Sequence, residues 1–234
     1  MKNIIIAYLI TLHVLLILAI AKTDLASRVA NRLHIIKLQP PEEESIIPRL
    51  REVHAQMDSS VPDGATIFLG DSITMGLATA AITQYTVNYG IGWQRSDQLI
   101  NSMDIYKSIT RASRVVITIG TNDLLQGRES GIESRYRTIL EKIPSSVDVV
   151  MSSVPPIGEV VFYGKRIDDS DVRDVVASAK KICESDSRCR FVNTYDALTT
   201  NGKLLPGVLL PDNVHLAPKG YELWIKSIKR EVNR

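Results

Sequence analysis

Cysteine is scarce, with two residues in 234, and the chain has no internal repeat, no low-complexity tract and no block of one charge. The formal net charge is +2, and no Lys/Arg stripe is interleaved with aromatics, so nothing argues for nucleic acid as a partner. His-x-x-x-His, Cys-x-x-Cys and carboxylate clusters with metal-ligand spacing are missing, as are Walker-type and Gly-x-Gly-x-x-Gly loops. Neither a metal nor a nucleotide cofactor is expected. Cys183 and Cys189 fall where a helix ends and a strand begins. A disulfide in an oxidising compartment and a pair of buried thiols both fit that placement.

What is present begins with an apolar run. Residues 4–21 contain no Asp, Glu, Lys or Arg and as a helix would extend about 27 Å, close to the hydrocarbon thickness of a bilayer. The expectation is an uncleaved membrane anchor. A cleaved signal peptide is the alternative, with Lys2 as its basic start and Ala19-Ile20-Ala21 as a small-x-small site. Lys2 on one side against Lys22, Arg28, Arg32 and Lys37 on the other leaves the orientation open. The resulting division is 1–22 as anchor or signal, 23–60 as a stalk with a juxtamembrane helix, and 61–234 as the main domain. In the juxtamembrane segment Ile46, Ile47, Leu50, Val53 and Met57 recur near helical spacing after Pro40-Pro41.

From residue 61 onward short apolar runs alternate with helical periodicity. Strands are expected at 65–69, 85–88, 114–119, 147–151 and 190–193. Ile67-Phe68-Leu69 and Val115-Val116-Ile117 are continuous rather than alternating, as in strands covered on both faces of a parallel sheet. Val172, Val175, Val176, Ala179 and Ile182 make one helical stripe; Tyr221, Trp224, Ile225, Ile228 and Val232 make another. The pattern implies right-handed crossovers and a three-layer α/β/α sandwich on a central five-stranded parallel sheet. Such sheets place their sites at the carboxyl ends of the strands. There stand Gly70-Asp71-Ser72, Gly90-Ile91-Gly92 and Gly120-Thr121-Asn122-Asp123, with Asp212-Asn213-Val214-His215 returning after the fifth strand.

A serine hydroxyl needs a base within hydrogen-bond reach to act as a nucleophile. Of the four histidines, His13 lies in the apolar run, His34 in the stalk and His54 on the juxtamembrane helix, which leaves His215. Asp212, three residues earlier, can hold the imidazole tautomer. Taken singly, Asp-x-x-His also fits a helix cap, and glycines or Asn after strands also fit ordinary turns. Donors to an oxyanion are available from the Ser72 and Gly90 N–H groups and the Asn122 side-chain amide. Asp71, Ile91, Trp93 and Pro155 are candidates to line a substrate pocket, although Trp93 equally fits a packed indole.

In order and spacing, Gly70-Asp71-Ser72, Gly90, Gly120-Thr121-Asn122-Asp123 and Asp212-Asn213-Val214-His215 resemble the four sequence blocks of the SGNH (GDSL-type) hydrolases, over about residues 63–232. Asn88-Tyr89-Gly90-Ile91-Gly92 and the segment from His215 to Tyr221 are similar to the platelet-activating-factor-acetylhydrolase-like branch. Asn213 stands where many relatives carry glycine. The resemblance implies a flavodoxin-like SGNH fold and an esterase with Ser72 as nucleophile, His215 as base and Asp212 as its orienting acid. It assigns the oxyanion hole to Ser72, Gly90 and Asn122. Gly-x-Ser-x-Gly is absent, which argues against the α/β-hydrolase elbow. The expected substrate is a small-molecule ester, an acylated lipid or an acylated envelope glycan, hydrolysed outside the cytoplasm. An O-acyltransferase using the same site and a non-catalytic tethered binding module are the alternatives.

Overall fold

The structure, a computed structural model, describes Tyr8 and residues 11–13, 43–162 and 164–234. The chain separates into residues 1–42 and a compact unit from Glu43 to Arg234, and the second unit carries everything below. The apolar run expected as an anchor lies outside the described residues apart from Tyr8 and residues 11–13, and the stalk up to residue 42 lies outside them entirely. Among the described residues no helix is long and apolar enough to cross a membrane.

Five parallel strands form the central sheet: β1 (Thr66–Gly70), β2 (Thr86–Gly90), β3 (Arg114–Thr118), β4 (Asp148–Ser152) and, numbered in chain order after a small hairpin, β7 (Cys189–Val192). Their spatial order is β2-β1-β3-β4-β7. Period-two alternation sorts the strand side chains between two cores. Ile67, Leu69, Val115, Ile117, Val149 and Met151 face one, whereas Phe68, Val116 and Val150 face the other. Both cores are closed by helices, which is why the inner strands β1, β3 and β4 read as nearly unbroken apolar runs.

On the first face lie α3 (Ser96–Met103), α5 (Ile132–Glu141) and α6 (Asp169–Glu184); on the second lies α8 (Pro218–Val232). The short helices α2 (Ser72–Met75), α4 (Thr121–Leu125) and α7 (Thr194–Ala197) each follow a strand of the sheet. Val172, Val175, Val176, Ala179 and Ile182 are buried along α6 as the stripe predicts, and Trp224, Ile228 and Val232 along α8. Two short antiparallel hairpins escape the sequence reading: β5–β6 (Val160–Phe162 with Lys165–Ile167) and β8–β9 (Thr199–Thr200 with Lys203–Leu204).

The juxtamembrane helix, α1 (Glu43–Asp58), packs differently from its apolar pattern. Ile47 is buried, but Ile46, Val53 and Met57 are exposed. The face that docks is polar: His54 Nδ1 meets the Tyr106 hydroxyl at 3.1 Å, and Asp58 accepts from the Tyr89 hydroxyl at 2.9 Å and the Ser108 N–H at 3.0 Å. A disulfide joins Cys183 to Cys189 and closes the turn between α6 and β7.

Because the chain passes from β1 outward to β2 and then back across to β3, the sheet has its topological switch point between the carboxyl ends of β1 and β3. Gly70 pairs in register with Gly90 on one side and Thr118 on the other, so the turns that follow these three strands start at one level.

Candidate active site

The turn after β1 is set by close packing. A methyl group on Gly70 would lie 2.1 Å from Thr74 Oγ1 and 2.2 Å from the Thr118 carbonyl, so only glycine lets the strand end there. Asp71 then caps α2, its Oδ1 accepting the Ile73 N–H at 3.0 Å. Ser72 is the first residue of that helix and keeps part of its surface exposed. The far end of α2 is held by Asn88, whose amide donates to the carbonyls of Thr74 at 2.7 Å and Leu77 at 3.1 Å.

Across the rim, the loop before α8 is pinned by the Ala217 N–H to Val208 carbonyl bond at 2.9 Å and the Leu210 N–H to His215 carbonyl bond at 2.8 Å. Asn213 lies at its tip with φ +62°, a left-handed conformation that asparagine tolerates better than most residues, so the loop forms without the glycine many relatives carry there. Asp212 Oδ1 accepts the N–H groups of Val214 (3.0 Å) and His215 (2.9 Å). Its Oδ2 lies 2.7 Å from His215 Nδ1, and His215 Nε2 lies 2.8 Å from Ser72 Oγ. Burial by itself would raise the Asp212 carboxyl, but those two N–H groups and the imidazole outweigh it and hold the group below its ordinary value. An ionised Asp212 fixes Nδ1 as the protonated nitrogen and leaves Nε2 to accept from the serine hydroxyl.

Of the three donors expected around Ser72, one is already hydrogen-bonded within the chain. The Gly90 N–H is committed to Asn88 Oδ1 at 2.9 Å. The missing Cβ of Gly90 serves packing instead, because a methyl there would lie 2.3 Å from the Met75 nitrogen. The next N–H, of Ile91, donates to the Gly70 carbonyl at 3.0 Å. Gln94 N–H then closes a turn onto the Ile91 carbonyl at 3.2 Å, with Trp93 at φ +66° in its third position, the conformation a type II turn requires there. Within the described residues the N–H groups of Ser72, Gly92 and Trp93 have no hydrogen-bond partner. Asn122, buried at the head of α4, uses one amide hydrogen on the Gln94 carbonyl at 3.1 Å, which ties the turn to β3 and leaves its second N–H available.

Residues 68–223, more than half of the chain and spanning Ser72, Asn122, Asp212 and His215, match the model of the GDSL-like Lipase/Acylhydrolase family. The chain belongs to that family. Solved GDSL-type and related structures share the fold. A Streptococcus pneumonia protein described as a platelet activating factor matches with TM-score 0.73 at 17% identity, over 90% of this chain and 100% of its own. A GDSL-like lipase from Bacteroides thetaiotaomicron matches with TM-score 0.62 at 21% identity, over 78% and 97%. An acetylxylan esterase from Geobacillus stearothermophilus matches with TM-score 0.56 at 20% identity, over 74% and 96%. No curated protein shows a comparable match.

In this GDSL-family site, three of the four pocket candidates are buried. Asp71, which caps α2, and Ile91 are fully buried, and Pro155 is buried. Trp93 alone keeps a partly exposed ring. Asp71 Oδ2 is buried without a partner, and burial pushes its carboxyl up to about 7, with the charge of Asp123 adding and the Ile73 N–H and His215 opposing. Asp123 is itself held by the Ser96 N–H at 2.9 Å and hydroxyl at 2.6 Å. Sequence reasoning missed Asn88 as the residue that locks α2 to β2; its place two positions before Gly90 was the available signal. Among the described residues no group of three or more His, Cys, Asp or Glu side chains is arranged to hold a metal ion.

Proposed function

We propose that this protein is a serine esterase that hydrolyses carboxylic esters through an acyl-serine intermediate. The observation that carries the reading is the continuous relay from Ser72 Oγ through His215 to Asp212, at 2.8 Å and 2.7 Å. As Ser72 Oγ bonds to the ester carbonyl carbon, its proton passes to His215 Nε2, and Asp212 stabilises the imidazolium. Collapse of the tetrahedral intermediate breaks the ester C–O bond, and the same proton goes to the departing alkoxide. Water then adds to the acyl-serine, giving its proton to His215, which returns it to Ser72 Oγ as the carboxylic acid leaves. The negative oxygen of each intermediate is met by the Ser72 N–H, the free Asn122 amide hydrogen and, in place of Gly90, the unpaired N–H groups of the Gly92-Trp93 turn.

The substrate class is an acylated lipid or envelope glycan, met on the outer side of a membrane. The apolar run 4–21 and the Cys183–Cys189 disulfide support a tethered enzyme in an oxidising compartment. The full-length chain is expected to stay with membranes through alkaline washing and to be released when residues 1–22 are deleted; extraction of the full-length chain by that wash contradicts the anchor. The catalytic reading is tested by turnover of aryl esters: Ser72→Ala is expected to lose it, and wild-type rates in that variant would refute the mechanism.

A further inference from the structure

Trp93 is a bulky side chain at φ +66°, where such residues are strained outliers and where glycine would fit freely. The strain has a use if the ring must project from a turn whose backbone faces the nucleophile. A methyl group on the preceding Gly92 would lie 4.0 Å from Ser72 Cβ and 3.7 Å from Met75 Cε, so the turn passes within side-chain reach of the serine and of the exposed Met75. The indole extends this surface outward to Phe162 of hairpin β5–β6, with ring centroids 5.9 Å apart and planes 29° from parallel. The hairpin is fixed in place. The Gly158 N–H donates to the Asn213 carbonyl at 2.8 Å, the Asn213 amide donates to the Glu159 carbonyl at 3.1 Å, and Lys165 pairs with Glu129 at 2.7 Å. The hairpin is thereby latched to the loop that carries His215.

Met75, Trp93 and Phe162 are thus apolar side chains gathered around the turn that passes the reacting serine. The cations nearest to it along the chain are engaged elsewhere, Arg95 with Asp97 and Gln126 and Lys165 with Glu129. Apart from the Trp93 indole N–H, the Met75, Trp93 and Phe162 side chains carry no strong hydrogen-bonding group to meet a sugar hydroxyl, whereas a hydrocarbon chain needs none. Resting on the esterase reading, we propose that Trp93 and Phe162 form the wall along which the acyl chain lies, so that the enzyme selects esters of medium-length fatty acids over acetates.

The test uses the full-length chain and two readouts. In the first, kcat/KM is measured for aryl acetate, butyrate, hexanoate and octanoate. The wall predicts a rise of about twofold per added methylene, because a surface strip covers only one side of a chain whose full burial is worth about fourfold per methylene. The octanoate-to-acetate ratio is expected to fall towards one in Trp93→Gly, whose backbone suits φ +66°, and to fall several-fold in Phe162→Ala. In the second, octanoate and acetate are titrated into Ser72→Ala protein while tryptophan emission is followed. Trp224, the other tryptophan, is 1% exposed, so a change reports Trp93; octanoate is expected to produce one and acetate none. A preference for acetate, a ratio unmoved in both variants, or no response to octanoate overturns the wall. An octanoate response in a protein that turns over no ester would support the wall and remove the esterase reading.

Discussion

Two regions of this protein bring together a histidine, an aspartate and a serine, and they differ in every respect that matters for chemistry. At the rim, Ser72, His215 and Asp212 form a line in which the hydroxyl meets the imidazole and the imidazole meets the carboxylate. Under α1, the Ser108 hydroxyl and N–H go to the Asp58 carboxylate, and His54 meets the Tyr106 phenol instead. The first set is partly open to solvent, with His215 and Asp212 side chains 38% and 48% exposed. In the second, His54 and Asp58 are 6% and 4% exposed. Burial depresses His54 to about 4, which keeps it neutral across the physiological range, and no substrate can reach the serine beside it. Order of bonding and access, rather than residue types in proximity, separate a potential nucleophile from a structural lock.

The contrast can be broken most forcefully at the histidines. His215→Ala is expected to lower kcat by about 10⁴–10⁶, as loss of a triad member does elsewhere. His54→Gln, measured by the same ester assay near neutral pH, should stay within about twofold of wild type because the two sites share no partners. Asn122→Ala should lower kcat by about 10²–10³ with KM little changed, the mark of a donor that acts mainly on the transition state; an unchanged kcat would take Asn122 out of the hole. Asp58→Ala strands three buried donors, and urea unfolding should show a loss of about 3 kcal/mol with turnover retained at temperatures where the variant is folded.

A pH titration sharpens the same comparison. His54 binds a proton near 6.5 when unfolded and only near 4 when folded. Between those values the unfolded chain holds more protons, so stability is complete above about pH 6.5 and falls as pH drops towards 4, by up to about 3 kcal/mol. Unfolding measured at pH 7 and pH 5 should show this slope in wild type and a shallower one in His54→Gln. Equal slopes would mean that His54 is not the group responsible.

The sheet was legible because the inner strands β1, β3 and β4 are buried on both faces and therefore spell nearly continuous apolar runs, and its observed limits fall within a residue or two of those read from the sequence. The α6 and α8 stripes were equally readable, since each packs one face on an apolar layer. The face on which helix α1 docks was not legible. Its apolar residues point largely outward while His54 and Asp58 dock, because the surface that receives them is built of Tyr89, Tyr106 and Ser108, and hydrophobic periodicity is blind to a polar interface. Hairpins of two or three residues per strand carry too little pattern to detect. At the site, residue types and spacing placed Ser72, Asp212, His215 and Asn122 at one rim. Which backbone N–H stays free depends on a side chain, Asn88, that takes up the one at Gly90, and that is not written in spacing.

The central claim is that Ser72 is the residue to which an acyl group becomes attached. Treating the full-length protein with a fluorophosphonate and mapping the adduct by peptide mass spectrometry tests it directly. The account predicts a single phosphonylated serine at position 72, with labelling abolished in Ser72→Ala and strongly slowed in His215→Ala. An adduct at another residue, or undiminished labelling of the Ser72→Ala protein, would contradict it.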